Sequence, residues 1–176
     1  MRGRFAPSPT GDLHLGGALV AIASYLRVRA RGAGAYVVRV EDLDPPRIVA
    51  GAEARIFEDL AWLGVTSDED PHVGGPYGPY RQSERGENYR TAIAALEARG
   101  LVYPCTCSRA EIARASSAPH EGEEGPRYPG TCRDPARRRS DRAAALRVRL
   151  PDDATIAFED LACGAIEQDV AATVGD

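Results

Sequence analysis

Residues 2–40 constrain the fold more than any other stretch of the chain, because they read in order as strand, turn, helix and strand. Arg2 to Ala6 is a short strand, Pro7-Ser8-Pro9-Thr10-Gly11-Asp12 is a loop of turn formers, and Ala18 to Arg31 is apolar at helical spacing (Leu19, Ile22, Ala23, Leu26) before a Gly32 stop. Ala35-Tyr36-Val37-Val38-Arg39-Val40 follows, β-rich and largely apolar, as suits a strand covered on both faces. Two such strands joined through a helix form a parallel pair with a right-handed crossover. Pro7 to Gly17 and Glu41-Asp42-Leu43-Asp44 then follow the carboxyl ends of neighbouring strands, where open α/β sheets bind ligands.

The later chain reads less regularly. A second helix is expected over Gly51 to Leu63, with Ile56, Leu60 and Leu63 on one stripe, and a third over Arg85 to Arg99 before Gly100. Ser67 to Tyr80, acidic and rich in Gly and Pro, reads as a surface loop. After Leu101 the character changes: residues 101–176 carry all four cysteines, a Gly/Pro/Glu-rich stretch from Pro119 to Gly130, and an arginine cluster. Short strands are expected at Ala144 to Leu150 and Thr155 to Phe158, and Glu167 to Asp176 carries no cap or tail signal. With only two or three parallel strands laid down, the sheet reads as unfinished.

Composition narrows the function classes. The 176 residues are 43% hydrophobic and 27% charged, an ordinary globular balance that excludes disordered, collagenous and coiled-coil chains. No run approaches the ~20 apolar residues needed to span a bilayer, and Arg2-Gly3-Arg4-Phe5 offers no signal-peptide core, so no membrane partner and a cytoplasmic location are expected. The formal charge of −4 gives no overall basic field for nucleic acid. All 22 basic residues are arginine. Chemistry that needs a lysine, such as a P-loop or a Schiff base, is therefore not completed within these residues, while the Arg and Ala abundance reflects a GC-rich coding bias.

Arg4-Phe5-Ala6-Pro7-Ser8-Pro9-Thr10-Gly11-Asp12-Leu13-His14-Leu15-Gly16-Gly17 is the most informative string. A histidine and two glycines where a strand-following loop enters a helix offer a donor, bare backbone and the positive helix end, all suited to a nucleotide phosphate; alone they equally describe a capped turn with an exposed histidine. There is neither a Gly-x-Gly-x-x-Gly nor a P-loop pattern. As a whole the string resembles the opening of the glutamyl branch of class I aminoacyl-tRNA synthetases, with His14-Leu15-Gly16-Gly17 in place of their HIGH motif. Arg39-Val40-Glu41-Asp42-Leu43-Asp44-Pro45-Pro46-Arg47 is similar to the acidic block after the second strand of that family. Tyr80-Arg81-Gln82-Ser83-Glu84-Arg85 and Tyr103-Pro104-Cys105-Thr106-Cys107-Ser108-Arg109 extend the resemblance over most of the chain. Within the family, Asp-Pro-Pro-Arg and the later Tyr-x-x-x-Cys are most similar to the glutamyl-queuosine tRNA(Asp) branch, which lacks the anticodon-binding domain.

The resemblance implies activation of L-glutamate with ATP and its transfer to the queuosine base in the anticodon loop of tRNA(Asp), by a monomer when full length. Glutamate has two carboxylates and one ammonium, so its site needs guanidinium forks and an acidic partner, roles that Arg4 and Glu41 suit. Carried over from the family, Arg4 holds a glutamate carboxylate, and Phe5, Ala6, Pro7, Ser8 and Glu41 line the pocket, Glu41 fixing the ammonium. The bland reading is a strand-end ion pair between Arg4 and Glu41. His14, Gly16 and Gly17 are implied to cradle ATP, with Mg²⁺ as its companion, while the carboxylate attacks the α-phosphate in line. By the family's order the lysine-bearing KMSKS loop and the second half of the nucleotide-binding fold follow residue 176, which would make this an amino-terminal part, inactive alone.

Cys105-Thr106-Cys107 places two thiols too close for an easy disulfide but well for one metal ion, and Cys132 lies beyond a Gly/Pro loop. Spacing alone proposes zinc on three thiolates, with His120, Cys163 or a nearby oxygen as the fourth ligand, against unlinked buried cysteines. The resemblance instead implies Tyr128, through Tyr128-Pro129-Gly130-Thr131-Cys132, with Cys163 a buried small hydrophobe. Such a site would be structural. Arg133, Arg137, Arg138, Arg139, Arg142, Arg147 and Arg149 form either a phosphate-contacting patch for tRNA or a solvated face balanced by Asp134 and Asp141. Arg147 and Arg149 alternate with Leu146, Val148 and Leu150, which suggests one polar strand face. Tyr77 and Tyr80 either stack on a base or pack against their own domain.

The expected fold is therefore α/β: residues 1–100 as the first half of a class I synthetase Rossmann-like parallel sheet, then 101–176 as a small zinc-containing α+β insertion. An ordinary glutamyl-tRNA synthetase that charges the tRNA 3′ end, and a non-catalytic glutamate- or tRNA-binding protein, are the alternatives.

Overall fold

The computed structural model describes residues 1–32, 34–115 and 127–176. The chain divides into two compact units, Met1–Tyr89 and Arg90–Asp176. No described helix is long and apolar enough to cross a membrane.

In the first unit, β1 (Arg2–Phe5) pairs in parallel with β2 (Ala35–Val38), Arg2 opposite Ala35 and Phe5 opposite Val38, with α1 (Leu15–Arg29) between them in sequence. The ladder runs on past both strands: Arg39 N–H donates to the Phe5 carbonyl at 3.0 Å and Glu41 N–H to the Pro7 carbonyl at 2.9 Å. On the other edge of β2, Val38 N–H donates to the Glu69 carbonyl and Val40 N–H to the Tyr80 carbonyl, each at 2.9 Å. The segment expected to be a surface loop thus lies at both ends along β2 as a broken parallel strand, burying Glu69, Asp70 and Tyr80.

Side chains alternate across this sheet. Phe5, Tyr36 and Val38 point to one side and bury against Ala21 and Val28 of α1, Ile56 and Leu60 of α2 (Ala52–Trp62), and Val65. Fully burying each such large apolar side chain contributes about 1.5–3 kcal/mol. Contact between strand and helix is close: a Cβ on Gly3 would stand 2.2 Å from Val28 Cγ2. The buried Tyr36 hydroxyl donates to the Ala21 carbonyl at 2.9 Å, which anchors that helix face.

The inward face of α1 differs from the expected one. Leu19 and Leu26 are exposed, and Ala21 and Val28 are buried in their place. The helix is apolar on both sides, so spacing alone does not choose between them, and the sheet takes the side with the small residue because Tyr36 needs the room. α3 (Gly86–Ala98) follows a 3₁₀ turn at Gln82–Arg85 and stops at Gly100, whose φ of +67° lets Leu101 N–H close back on the Leu96 carbonyl.

The second unit is built from antiparallel pairs. β3 (Val102–Cys105) pairs with β4 (Ala145–Val148), Cys105 opposite Ala145, and β5 (Thr155–Asp160) forms a hairpin with β6 (Gly164–Asp169). α4 (Arg109–Ala115) follows β3, and α5 (Val170–Thr173) follows β6 with Asp169 as its cap. Its buried core is Tyr103, Cys105, Tyr128 and Cys132, with Cys107 and Ile112 packed against it. The Asp176 carboxylate accepts from Arg133, from the Tyr103 hydroxyl and from Leu150 N–H.

Two expectations are corrected here and one is made more specific. Cys163 is exposed in the β5–β6 turn, where its N–H caps Asp160 at 2.8 Å, so it is no buried hydrophobe. The one polar strand face expected of Arg147 and Arg149 is present and turns inward, since Leu146 and Val148 are about half exposed while the two guanidiniums lie over the Tyr128 and Tyr103 rings. Finally, β6 forms where no strand was expected.

Candidate active site and candidate metal centre

In the first unit the candidate site follows from strand alternation. From Arg4 to Thr10, Phe5, Pro7 and Pro9 are buried, whereas Arg4, Ser8 and Thr10 are exposed and Ala6 is half-buried. The parallel register puts Arg4, Val37, Arg39 and Glu41 on one side of the sheet, with Ala6 beside Arg39. Arg4, Ala6, Ser8 and Glu41 therefore share the open face at the carboxyl ends of β1 and β2. The Phe5 and Pro7 side chains face the core, and their carbonyls hold the backbone of Arg39 and Glu41.

Charge on this face is unevenly matched. Arg2 pairs with Glu69 at 2.5 Å and lies over the Tyr77 ring, its guanidinium carbon 4.5 Å from the centroid. Arg39 Nη2 donates to Glu41 Oε1 at 2.6 Å, and Arg39 Nε is buried with no hydrogen-bond partner among the described residues. Arg4 has no carboxylate partner among the described residues. The strand-end pair between Arg4 and Glu41 does not form. A guanidinium without a carboxylate partner, on the same face as a carboxylate half-occupied by another arginine, can receive an anion while that carboxylate receives a cation. Arg39 is the residue that motif reasoning passes over, although its i, i+2 spacing from Glu41 in a strand signals a shared face.

His14 caps α1: its Nδ1 accepts from Gly17 N–H at 3.2 Å. The Gly16 and Gly17 α-carbons are close-packed, since a Cβ would stand 3.1 Å from His14 Cε1 at the first and 2.8 Å from Leu13 Cδ1 at the second. No acidic residue sits in the first turn, leaving an exposed, positive helix end lined with bare backbone. Two further contacts fix the surrounding loops. Ser83 donates to both Asp42 oxygens, from N–H at 2.8 Å and from Oγ at 2.6 Å. Burial opposes the Asp42 carboxylate, but these bonds prevail and hold its pKa below the ordinary value. Arg81 binds Glu53 of α2 through Nη2 at 2.7 Å. Tyr80 is buried on Glu69, so it packs within its own unit and is not available to stack on a base, whereas Tyr77 stays exposed.

In the second unit the chain gathers Cys105, Cys107 and Cys132, their sulfurs all within 4.8 Å of one another and that of Cys107 3.5 Å from that of Cys132. Tyr128 Oη lies 3.2 Å from Cys105 Sγ and 3.8 Å from Cys107 Sγ, and accepts from Cys132 N–H at 2.8 Å. Cys163 is not part of this group, and His120 lies outside the described residues. Burial resists ionisation at Cys107, Tyr128 and Cys132. At Cys132 hydrogen bonds from Tyr128, the Thr106 backbone and the neighbouring thiols overcome it and bring the thiol down to about 6, whereas burial and Cys132 push Cys107 up to about 11. Donors this close together, three soft and one hard, suit one tetrahedral ion, for which Zn–S bonds of ~2.3 Å put sulfurs ~3.7 Å apart.

Most of the nearby arginines are occupied. Arg139 and Arg142 pair with Glu111, each at 3.0 Å, Arg133 with Asp176, and Arg137 with Asp134 at 3.8 Å. Arg138 Nε donates to the Cys132 carbonyl at 3.0 Å. The cluster is balanced by Glu111 and Asp176 together with Asp134, and Asp141 takes no part.

The chain is similar to several known proteins. A glutamyl-Q tRNA(Asp) synthetase of Symbiobacterium thermophilum is 50% identical over 169 residues, which cover 92% of this chain and 52% of that protein. A glutamate–tRNA ligase of Heliobacterium modesticaldum is 44% identical over 182 residues, covering all of this chain and 36% of that protein. The crystal structure of a glutamate tRNA ligase from Elizabethkingia meningosepticum, in complex with its amino acid, superposes over the whole chain and 38% of its own with a TM-score of 0.81 at 31% identity. The chain spans about half the length, or less, of these relatives. Residues 1–175 match the family described as tRNA synthetases class I (E and Q), catalytic domain, and the chain belongs to that family.

Proposed function

We propose that this chain serves ATP-dependent activation of L-glutamate and its transfer to the queuosine base of tRNA(Asp), in the cytoplasm. One observation carries the reading: Arg4, with no carboxylate partner among the described residues, shares a sheet face with Glu41 toward the carboxyl ends of two parallel strands, and the loop after β1 leads into the open amino end of α1. The identity of 50% to a glutamyl-Q tRNA(Asp) synthetase supports the choice of branch.

In this reading Arg4 holds one glutamate carboxylate, and Glu41 Oε2, which Arg39 leaves free, receives the ammonium. Ala6 and Ser8 form the wall between them. ATP enters with Mg²⁺ and lays its phosphates on the glycine backbone behind His14, whose Nε2 is free to donate. The reacting glutamate carboxylate attacks the α-phosphorus in line; a P–O bond forms, the α–β bridge breaks and pyrophosphate leaves with its electron pair. The chain's contribution is position and charge, for no protein nucleophile is required. The lysine of a KMSKS loop is not among these 176 residues.

Residues 1–100 make up the first half of the nucleotide-binding fold and 101–176 a zinc-carrying insertion. Cys105, Cys107, Cys132 and Tyr128 hold the ion, which when bound ties the end of β3 to the 128–132 segment. That link adds stability to a unit whose buried core is two tyrosines and two cysteines.

A second reading, an ordinary glutamyl-tRNA synthetase, has the 44% identity to a glutamate–tRNA ligase in its favour. Glutamate-dependent exchange of labelled pyrophosphate into ATP by the full-length protein separates the two. Exchange without tRNA supports the queuosine-modifying reading, exchange only after tRNA is added supports the ordinary ligase, and no exchange under either condition overturns both.

A further inference from the structure

The second unit holds a guanidinium that the proposed chemistry does not use. Arg147 lies on β4 opposite Tyr103 of β3, and its guanidinium carbon stands 3.7 Å from the centroid of the Tyr128 ring. Its Nε is buried with no hydrogen-bond partner among the described residues, and one terminal nitrogen donates to the Asp176 backbone oxygen. An arginine whose Nε goes without a hydrogen bond while its guanidinium carbon sits over an aromatic ring is attracted there by the ring, and guanidinium groups favour such contacts. Tyr128 in turn presents its oxygen to two of the three clustered thiols.

Charge gives the stacking a purpose. Three thiolates and a phenolate outweigh a divalent ion by about two negative charges. Among the described residues around the cluster, Arg138 reaches only a backbone carbonyl, Arg139 and Arg142 are spent on Glu111, and Arg133 on Asp176. Among the described cation–π contacts, that of Arg147 is the one over a candidate donor, across the π-system over which the charge of a phenolate oxygen spreads. We propose that Arg147 is a positioning residue of the metal centre. It holds the Tyr128 ring in its donating orientation and offsets the surplus negative charge, so that a tyrosine oxygen can complete a site otherwise made of sulfur. The inference rests on the metal reading above.

Zinc affinity is measured on the full-length protein by competition with a chromogenic chelator, for wild type, Arg147→Met, Tyr128→Phe and the double variant. Groups behind a metal ligand typically change affinity about 10–100-fold. Arg147→Met is expected to weaken zinc by that factor, and the double variant to bind no more weakly than Tyr128→Phe alone. In cobalt-substituted protein, Arg147→Met should shift the phenolate charge-transfer band. If Arg147→Met fails to fold, Arg147→Lys, which keeps the charge but loses the planar stack, replaces it with a smaller expected loss. Additive losses in the double variant, or unchanged zinc affinity in the folded Arg147 variant, overturn the role of Arg147 and leave the metal reading standing. Absence of stoichiometric zinc from the wild-type protein overturns the metal reading, and this role with it.

Discussion

Arg39 and Glu41, two residues apart beyond the end of β2, are joined by a 2.6 Å bond from Nη2 to Oε1 that leaves the second Glu41 oxygen free. Both side chains are about one-third exposed or less, so the pair is sheltered yet reachable by a small ligand. A carboxylate held at one oxygen presents the other in a fixed direction, which is what recognition of an ammonium needs.

Arg39→Gln removes the charge that orients Glu41. A charge-assisted hydrogen bond is worth ~1.5–3 kcal/mol, so the KM for glutamate is expected to rise about 10–100-fold with the KM for ATP unchanged. Arg4→Gln removes the anion receptor itself and should cost at least as much. Pyrophosphate exchange at varied glutamate and at varied ATP checks both variants. A rise in both constants together would mean that Arg39 supports the fold and not the pocket.

His14 makes two separable contributions. Its Nδ1 caps α1 through Gly17 N–H, while the other ring nitrogen is left for a phosphate. Loss of a cap costs ~0.5–2 kcal/mol, and His14→Ala is expected to lower both the melting temperature and the rate of exchange. His14→Asn keeps a capping oxygen and should recover most of the stability without recovering the rate. Thermal unfolding and exchange on the same preparations test this, and recovery of both by asparagine would leave His14 as a cap and nothing more.

How much of this was legible in the sequence depends on which physical signal carried it. The β1–α1–β2 unit follows from periodicity and turn residues, and the open face follows from alternation once the register of Arg4 against Val37 is known. The buried side of α1 does not follow, because Leu15, Leu19 and Leu26 compete with Ala21 and Val28, and the deciding contact is Tyr36, distant in sequence. The alternation of Arg147 and Arg149 reveals a polar face but not which way it turns. Polar residues mark an outer face only when water is their best partner, and here the Tyr128 and Tyr103 rings take its place. The strand at Gly164–Asp169 is hidden by glycine, alanine and charged residues, and it forms because β5 offers an edge to pair with.

The four cysteines are expected to divide three to one. Cys163 is exposed, whereas Cys105 and Cys132 are buried and Cys107 is half-buried. In the zinc-loaded protein one thiol should react with a bulky alkylating reagent at neutral pH, and all four after a chelator strips the metal. Mass spectrometry of the alkylated peptides locates them. Reaction of all four without a chelator would argue against a bound ion, since thiolates held by a metal are shielded.

Two carboxylates tie the second unit to acid conditions. Hydrogen bonds from the Ser108 backbone and hydroxyl, with Arg139 and Arg142 beside it, hold Glu111 at about 2. Burial works against the Asp176 carboxylate, but Arg133 and Tyr103 outweigh it and hold that group at about 2 as well. Both lie below the ordinary carboxylate range near pH ~4, so the folded unit binds fewer protons than the unfolded chain between those values. Their contribution is complete above that range and is lost as pH falls toward 2. Glu111→Gln should make the second unit less stable at neutral pH and less sensitive to acid. Amide cross-peaks of β3 and β4, followed by NMR from pH 6 downward, report it. The difference between wild type and variant is the readout, because cluster thiolates take up protons too, and identical midpoints would remove Glu111 from the acid response.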